Sequence, residues 1–242
     1  MQLLVFQLLA PLAAWGDVAV GQHRGSRDAP GASALLGLLG AALGLQRNDE
    51  AAHAALRDGY GFAVGTVEPG QLLRDYHTAQ VPGRSELKGR PHRTRRDELA
   101  VPKHELNTVL STRDYRQGGE WIVAVQPSPL APQGLAALQR ALREPRFVLY
   151  LGRKSCPPAA PLAPQIVEAD SALAAITAYQ QGREAPGALR SLAWAEGVAA
   201  GLPPHLSMPR KDRLIRRRGW QFGDRTEHVA QMERLDEGHG GA

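Results

Sequence analysis

The apolar positions fall into short runs separated by glycine, proline and charge, and their spacing predicts strands alternating with helices. Gln2–Leu9 is almost continuously apolar, the pattern of a buried strand, and Ala10–Gly16 is expected to be its turn. Val18–Pro30 mixes charge with scattered glycines and reads as a surface loop. Ser33–Gly44 (SALLGLLGAALG) is apolar on all sides, with an N-cap serine at its start and a C′ glycine at its end. Such a helix packs against a sheet, and about a dozen apolar residues are too few to cross a bilayer. Asp49–Arg57 reads as a short helix and Tyr60–Val67 as a second strand.

Beyond Leu72–His77 the periodicity lapses. Thr78–Arg116 holds Pro82, Gly83, Gly89, Pro91 and Pro102 among basic residues that include Arg84, Arg90, Arg93, Lys103 and Arg113. A span of that length without periodic structure is functional or disordered, and its charge suits a basic arm that orders on nucleic acid. Regular structure resumes with a strand at Glu120–Gln126 and an amphipathic helix at Pro132–Arg143, whose Leu135, Leu138 and Leu142 share one face. A strand is expected at Phe147–Leu151. The order βαββαβ predicts an α+β, ferredoxin-like or RRM-like domain over residues 1–151, with 78–116 as an insertion. Residues 152–242 form a second, β-rich region, with a helix at Ser171–Gln180, strands at Leu189–Ala195 and Arg213–Phe222, and a frayed tail from Glu237.

Composition narrows the chemistry. Twenty-nine Lys and Arg against 24 Asp and Glu give a net charge of +5, and the clustering of that excess points to a polyanionic partner. One cysteine excludes an internal disulfide framework and a cysteine-rich zinc site, so a reducing, cytoplasmic setting is expected. The apolar N-terminus lacks a preceding positive charge and is interrupted by Gln7, unlike a signal peptide. No nucleotide-loop, nucleophile-elbow or zinc-helix motif is present, the eight histidines have no metal-ligand spacing, and no cofactor is expected.

Three stretches carry candidate chemistry. In FVLYLGRKSCPP, Gly152, Arg153, Lys154, Ser155 and Cys156 follow a strand, and exposed backbone N–H groups beside two cations suit a phosphate. The plainer alternative is a solvated basic turn. Arg210–Arg225 concentrates cations, Arg217 and Arg218 among them, beside Trp220 and Phe222, as single-stranded nucleic acid requires; a charged edge strand is the alternative. Tyr76, His77, Lys103 and His104 hold the components of a metal-free RNA cleavage, though a Tyr-His pair at a strand end also suits simple packing.

Five stretches together resemble one family, in its order and spacing: LLAPLAAWGD, HRGSRDAPGASALLGLLGAALGLQRND, LRDYHT, YLGRKSCPP and QFGDR. The chain resembles the CasD family, the type I-E branch of the fifth CRISPR-associated (Cas) family, whose members are subunits of the Cascade surveillance complex. The resemblance implies a ferredoxin-like fold with a long β-hairpin thumb. It implies a non-catalytic subunit that binds the 5′ handle of the guide RNA (crRNA) and caps the backbone filament. Its implied partners are the backbone subunit, the large subunit and target DNA near the guide 5′ end, with no membrane. It assigns RNA contacts to Arg24, Ser26, Ser33, Tyr76, His77, Arg113, Gly152–Cys156, Gln221, Phe222 and Arg225. Where the family has Pro-Thr-basic, this chain has Pro30, Gly31 and Ala32, which removes one expected phosphate contact. A relative in another subtype cuts precursor RNA, so an endoribonuclease using Tyr76 and His77 stands as the alternative, beside a free-standing RNA-recognition protein.

Overall fold

In the computed structural model, which describes residues 1–19 and 21–232, β1 (Gln2–Ala13) runs through the interior of the sheet. Leu4, Phe6 and Leu8 enter one apolar core, and Leu3 and Val5 enter another on the opposite face. A strand covered on both sides needs apolar residues at nearly every position, which accounts for the unbroken N-terminal run. β1 also outlasts the turn expected at Ala10–Gly16: Ala10, Leu12 and Ala13 stay paired with Gly119, Gln117 and Arg116. The tail expected from Glu237 lies outside the described residues.

A short strand, β2 (His23–Arg24), precedes α1 (Ala32–Leu43). Gly44 ends α1 in the left-handed region at φ +77°, as the sequence predicts. Its start differs from expectation. The N-cap is Gly31, not Ser33, and the Ala32 N–H donates 2.9 Å to the carboxylate of Asp212, 180 residues away. A side chain at position 31 would collide with that carboxylate, so the glycine makes room for a cap supplied from elsewhere. α2 (Glu50–Gly59) then leads into β3 (Tyr60–Glu68).

The span expected to lack regular structure begins and ends in a ribbon. β4 (Gln71–Pro82) pairs with the first half of β5 (Leu106–Pro127) from Gln71↔Gln117 to Pro82↔Leu106. Between them lie α3 (Arg95–Glu98), with Thr94 and Asp97 forming a capping box, and a 3₁₀ turn at Lys103–Glu105. Most of β4 is exposed on both faces, so it has no buried side to impose the alternation that sequence reading depends on.

β5 continues into the sheet, and α4 (Leu135–Arg143) places Leu135, Leu138 and Leu142 in the first core. Phe147–Leu151 is not a strand. Leu149 and Leu151 are buried while Val148 is 84 % exposed, yet the backbone bonds to the last turn of α1 and the end of β1 rather than into a ladder: the Phe147 N–H donates to Ala41, and the Leu151 carbonyl accepts from Ala14. An extended loop alternates as a strand does, and periodicity cannot separate them. The strand on the outer edge of β1 is instead β6 (Gln165–Glu168). α5 (Ala172–Gln181), capped by Ser171, covers the second core with Ile176 and Tyr179.

β7 (Ser191–Ala195), β8 (Leu206–Arg216) and β9 (Gln221–Gln231) complete a mixed α+β fold dominated by one large antiparallel sheet. The order is β6-β1-β5-β3-β7-β9-β8, with β2 and β4 paired to β5, and β7 joins the C-terminal strands directly to β3. The single strand expected at Arg213–Phe222 is a hairpin whose turn is Arg217–Trp220. Among the described residues no helix is long and apolar enough to cross a membrane, and no cluster of His, Cys, Asp and Glu could hold a metal ion.

Candidate nucleic-acid interface

The site is built where the end of β1, the β2 loop, the start of α1 and the β8–β9 turn meet. Gly152 crosses the end of β1 at φ +88°, and a Cβ there would overlap the Ala14 carbonyl. The close approach is made to protein backbone, not to a ligand: Ala14 N–H donates to the Leu151 carbonyl at 3.0 Å. It delivers Arg153 to the Arg24 loop. Arg153 donates to the Asp114 carbonyl at 3.1 Å and the Arg24 carbonyl at 3.2 Å, and its guanidinium lies 4.6 Å over the Tyr115 ring. Arg24 in turn donates to the carbonyls of Gly21 and His23, at 2.7 and 2.9 Å.

These partners are neutral oxygens, so among the described residues both cations are positioned without being neutralised. Arg24, Arg153 and Arg217 line one groove, together with Ser33, Tyr150, Trp220 and Phe222. The single carboxylate among the described residues of that lining, Asp17, is already paired with Arg27 at 2.7 Å. A larger cleft of about 780 Å³ between α2 and the β8–β9 hairpin sets Arg57, Arg213 and Arg225 against Asp58, Glu196 and Asp224. That balance offers little to a polyanion. The smaller groove is the electropositive one.

β2 pairs in parallel with β5 and sets Arg24 beside Arg113. Next to Arg113, the buried Asp114 accepts two bonds from Arg74, at 2.8 and 3.1 Å, with His23 at 3.5 Å. The Arg74 hydrogen bonds hold the Asp114 carboxyl below its ordinary range against the opposing effect of burial, helped by the charges of Arg74, His23 and Arg153. This pair fixes the root of the β4–β5 ribbon. It was not found from sequence, because only the register places position 74 opposite position 114.

At the β8–β9 turn, successive backbone N–H groups of Arg217 and Arg218 donate to the Glu50 carboxylate at 2.8 and 2.5 Å, which lowers its pKa. Burial depresses the pKa of Arg217, and Arg47 adds to the effect. Arg47 and Arg217 lie 5.0 and 5.4 Å from the centroid of Trp220, which stacks on Phe222 at 6.3 Å. Arg218 and Gln221 are exposed beside them.

Several expected contacts are placed differently. Cys156 is fully buried in the first core, so its thiol cannot meet a ligand at the surface, while Lys154 and Ser155 are exposed beside it. Ser26 is half-buried and accepts the Trp15 N–H at 3.0 Å, holding its loop. Arg225 is not a free cation. It donates to Asp212 at 2.6 and 3.0 Å and to Glu227 at 2.6 Å, bracing the carboxylate that caps α1.

Tyr76 and His77 are successive residues of β4, opposite Thr112 and Ser111, and therefore project from opposite faces of the ribbon. Lys103 and His104 sit beyond Pro82↔Leu106. From His77 to that pair is about 17 Å at 3.3 Å per residue. These four residues do not converge on one phosphate.

Comparison with known proteins gives a consistent result. The family model described as CRISPR-associated protein (Cas_Cas5) matches residues 3–226. The "CRISPR system Cascade subunit CasD" of Escherichia coli (strain K12) is 35% identical over 167 residues, 66% of this chain and 68% of that protein. A chain of a solved "CRISPR RNA-guided surveillance complex" matches with a TM-score of 0.65 at 22% identity, covering 96% of this chain and 90% of its own. A "Crystal structure of Cas protein" matches with a TM-score of 0.60 at 25% identity, covering 98% of both chains.

Proposed function

Because this chain belongs to the CRISPR-associated Cas5 family, we propose that it is the Cascade subunit that grips the 5′ handle of the guide RNA and caps the backbone filament. The observation that carries the proposal is the junction of Arg153 with the Arg24 loop, which sets in one groove, from segments 129 residues apart, cations with no carboxylate partner among the described residues. Cations fixed by neutral carbonyls neutralise phosphates without first breaking an ion pair. Arg24, Arg113, Arg153 and Lys154 take the handle backbone. Ser33 lines the groove, Arg217, Arg218 and Gln221 stand at its other border, and Ser26, Gly152 and Arg225 shape it.

The β4–β5 ribbon serves as the thumb, with Tyr76, His77 and Lys103 along its length and the basic tip beyond, crossing the guide and fixing its path against the neighbouring backbone subunit. The strand order β6-β1-β5-β3, with α1 and α4 on one face, supports a ferredoxin-like reading of the first part of the chain. The role is non-catalytic, since Tyr76 and His77 face opposite ways, and it belongs to the cytoplasm, with the large subunit and target DNA near the guide 5′ end as further partners. Target sequence is read by base pairing with the guide, not by this chain.

The test is an assembled complex carrying Arg153→Ala with Lys154→Ala. The guide 5′ end should become sensitive to a 5′-exonuclease while its 3′ portion stays protected. Unchanged protection of the 5′ end would refute the clamp.

A further inference from the structure

The β8–β9 turn holds a residue that the turn itself does not call for. Trp220 follows Gly219 (φ +80°) and itself lies at φ +51°, a conformation that glycine adopts freely and a bulky residue does not. Its indole is 52% exposed, whereas Trp15, Trp121 and Trp194 are buried. The ring stacks on Phe222 at an interplanar angle of 26°, with the guanidiniums of Arg47 and Arg217 within 5.4 Å of its centroid. Arg217 Nε is buried with no hydrogen-bond partner among the described residues. Both Trp220 and Arg217 line the groove that holds Arg24 and Arg153.

We propose that Trp220, backed by Phe222, is a stacking platform for one unstacked base of a single-stranded RNA. Arg47 and Arg217 neutralise the adjoining phosphates. The inference rests on the reading of this groove as an RNA site and adds to it the place where a base is received. Single-stranded RNA leaves its bases free to stack on aromatic rings, and weakly hydrated guanidiniums held over the ring suit the phosphates that accompany them. A turn that served only to reverse the chain would gain nothing from a solvated indole in a left-handed conformation.

Trp220 is the one exposed tryptophan of the four, so the full, unaltered chain carries its own reporter. Titration with a short single-stranded oligoribonucleotide should quench the solvent-exposed component of tryptophan emission, saturably and in step with binding. Trp220→Ala should weaken binding about 5- to 150-fold, the range for losing one stacked base. Trp220→Phe should stay within about threefold of the parent, because any aromatic face stacks. Trp220→Gly, which suits the backbone, should lose as much as Trp220→Ala and so separates ring from turn. Equal quenching by the matching deoxyoligonucleotide supports the platform and assigns its preference to the base rather than the sugar. RNA binding by the parent with unchanged emission, and with undiminished affinity in Trp220→Gly, overturns the platform while leaving the RNA groove intact. A parent chain that binds no RNA even at low salt overturns both.

Discussion

Replacing Arg24 and Arg153 together with alanine should change the salt dependence of RNA binding by an amount fixed by the groove. Three cations line it with no carboxylate partner among the described residues: Arg24, Arg153 and Arg217. Each phosphate neutralised on a single strand contributes about −0.7 to the slope of log K against log salt, so Arg24 and Arg153 together account for about −1.4. Over a rise in salt from about 50 to about 200 mM, that share alone weakens parent binding about 7-fold. The double variant should therefore show a slope shallower by about 1.4, and the same rise in salt should cost it about 7-fold less than it costs the parent. Fluorescence anisotropy of a labelled single-stranded oligoribonucleotide across that range reads both slopes. Arg225→Ala is the matched control. Its charge is already committed to Asp212 and Glu227, so the slope should stay near the parent's even though the fold is weakened. A double variant that keeps the parent slope, or an Arg225→Ala slope that falls equally, would refute the sorting of cations into free and paired.

Two further outcomes concern stability. Gly152→Ala should lower unfolding free energy in urea by at least roughly 1–3 kcal/mol, the cost of a side chain in a left-handed conformation, with the clash on Ala14 added; an unchanged midpoint would mean that the loop does not cross β1 as described. Asp114→Asn should cost about 1–2 kcal/mol at pH 7, toward the lower end because Arg74 reaches into solvent. Since the folded-state pKa of Asp114 lies below its unfolded value, its contribution is complete above about pH 4 and fades as pH falls through the folded value. The gap between parent and variant, measured by urea unfolding at descending pH, should therefore narrow in acid, and a gap that widens would contradict the ion pair.

Elements with a buried side were legible from sequence. β1, α1, α4 and α5 all face an apolar core, and their leucines and alanines carry the period of that contact. Elements without one were not. β4 is exposed on both faces and reads as irregular, and β6 is four residues long and only half-buried. Phe147–Leu151 misleads in the opposite sense, because an extended loop pressed on a core alternates as a strand does. The candidate site was legible as composition and not as geometry. Arg24, Arg153 and Arg217 could be named from their neighbours, but Arg225 looks equally available until Asp212 is seen beside it. The significance of Trp220 depends on its lying in a turn, which the sequence Arg-Gly-Trp signals only once the run is divided into two strands.

The bond from Ala32 to Asp212 has a consequence for synthesis. A nascent chain can lay down β1, α1 and the ribbon long before the acceptor for α1's leading amide has been translated, and Arg225, which steadies that acceptor, emerges later still. The groove bordered by Trp220 thus closes only after Asp212 has been made, and a ribosome stalled before position 212 displays a polypeptide whose basic loops have no facing wall.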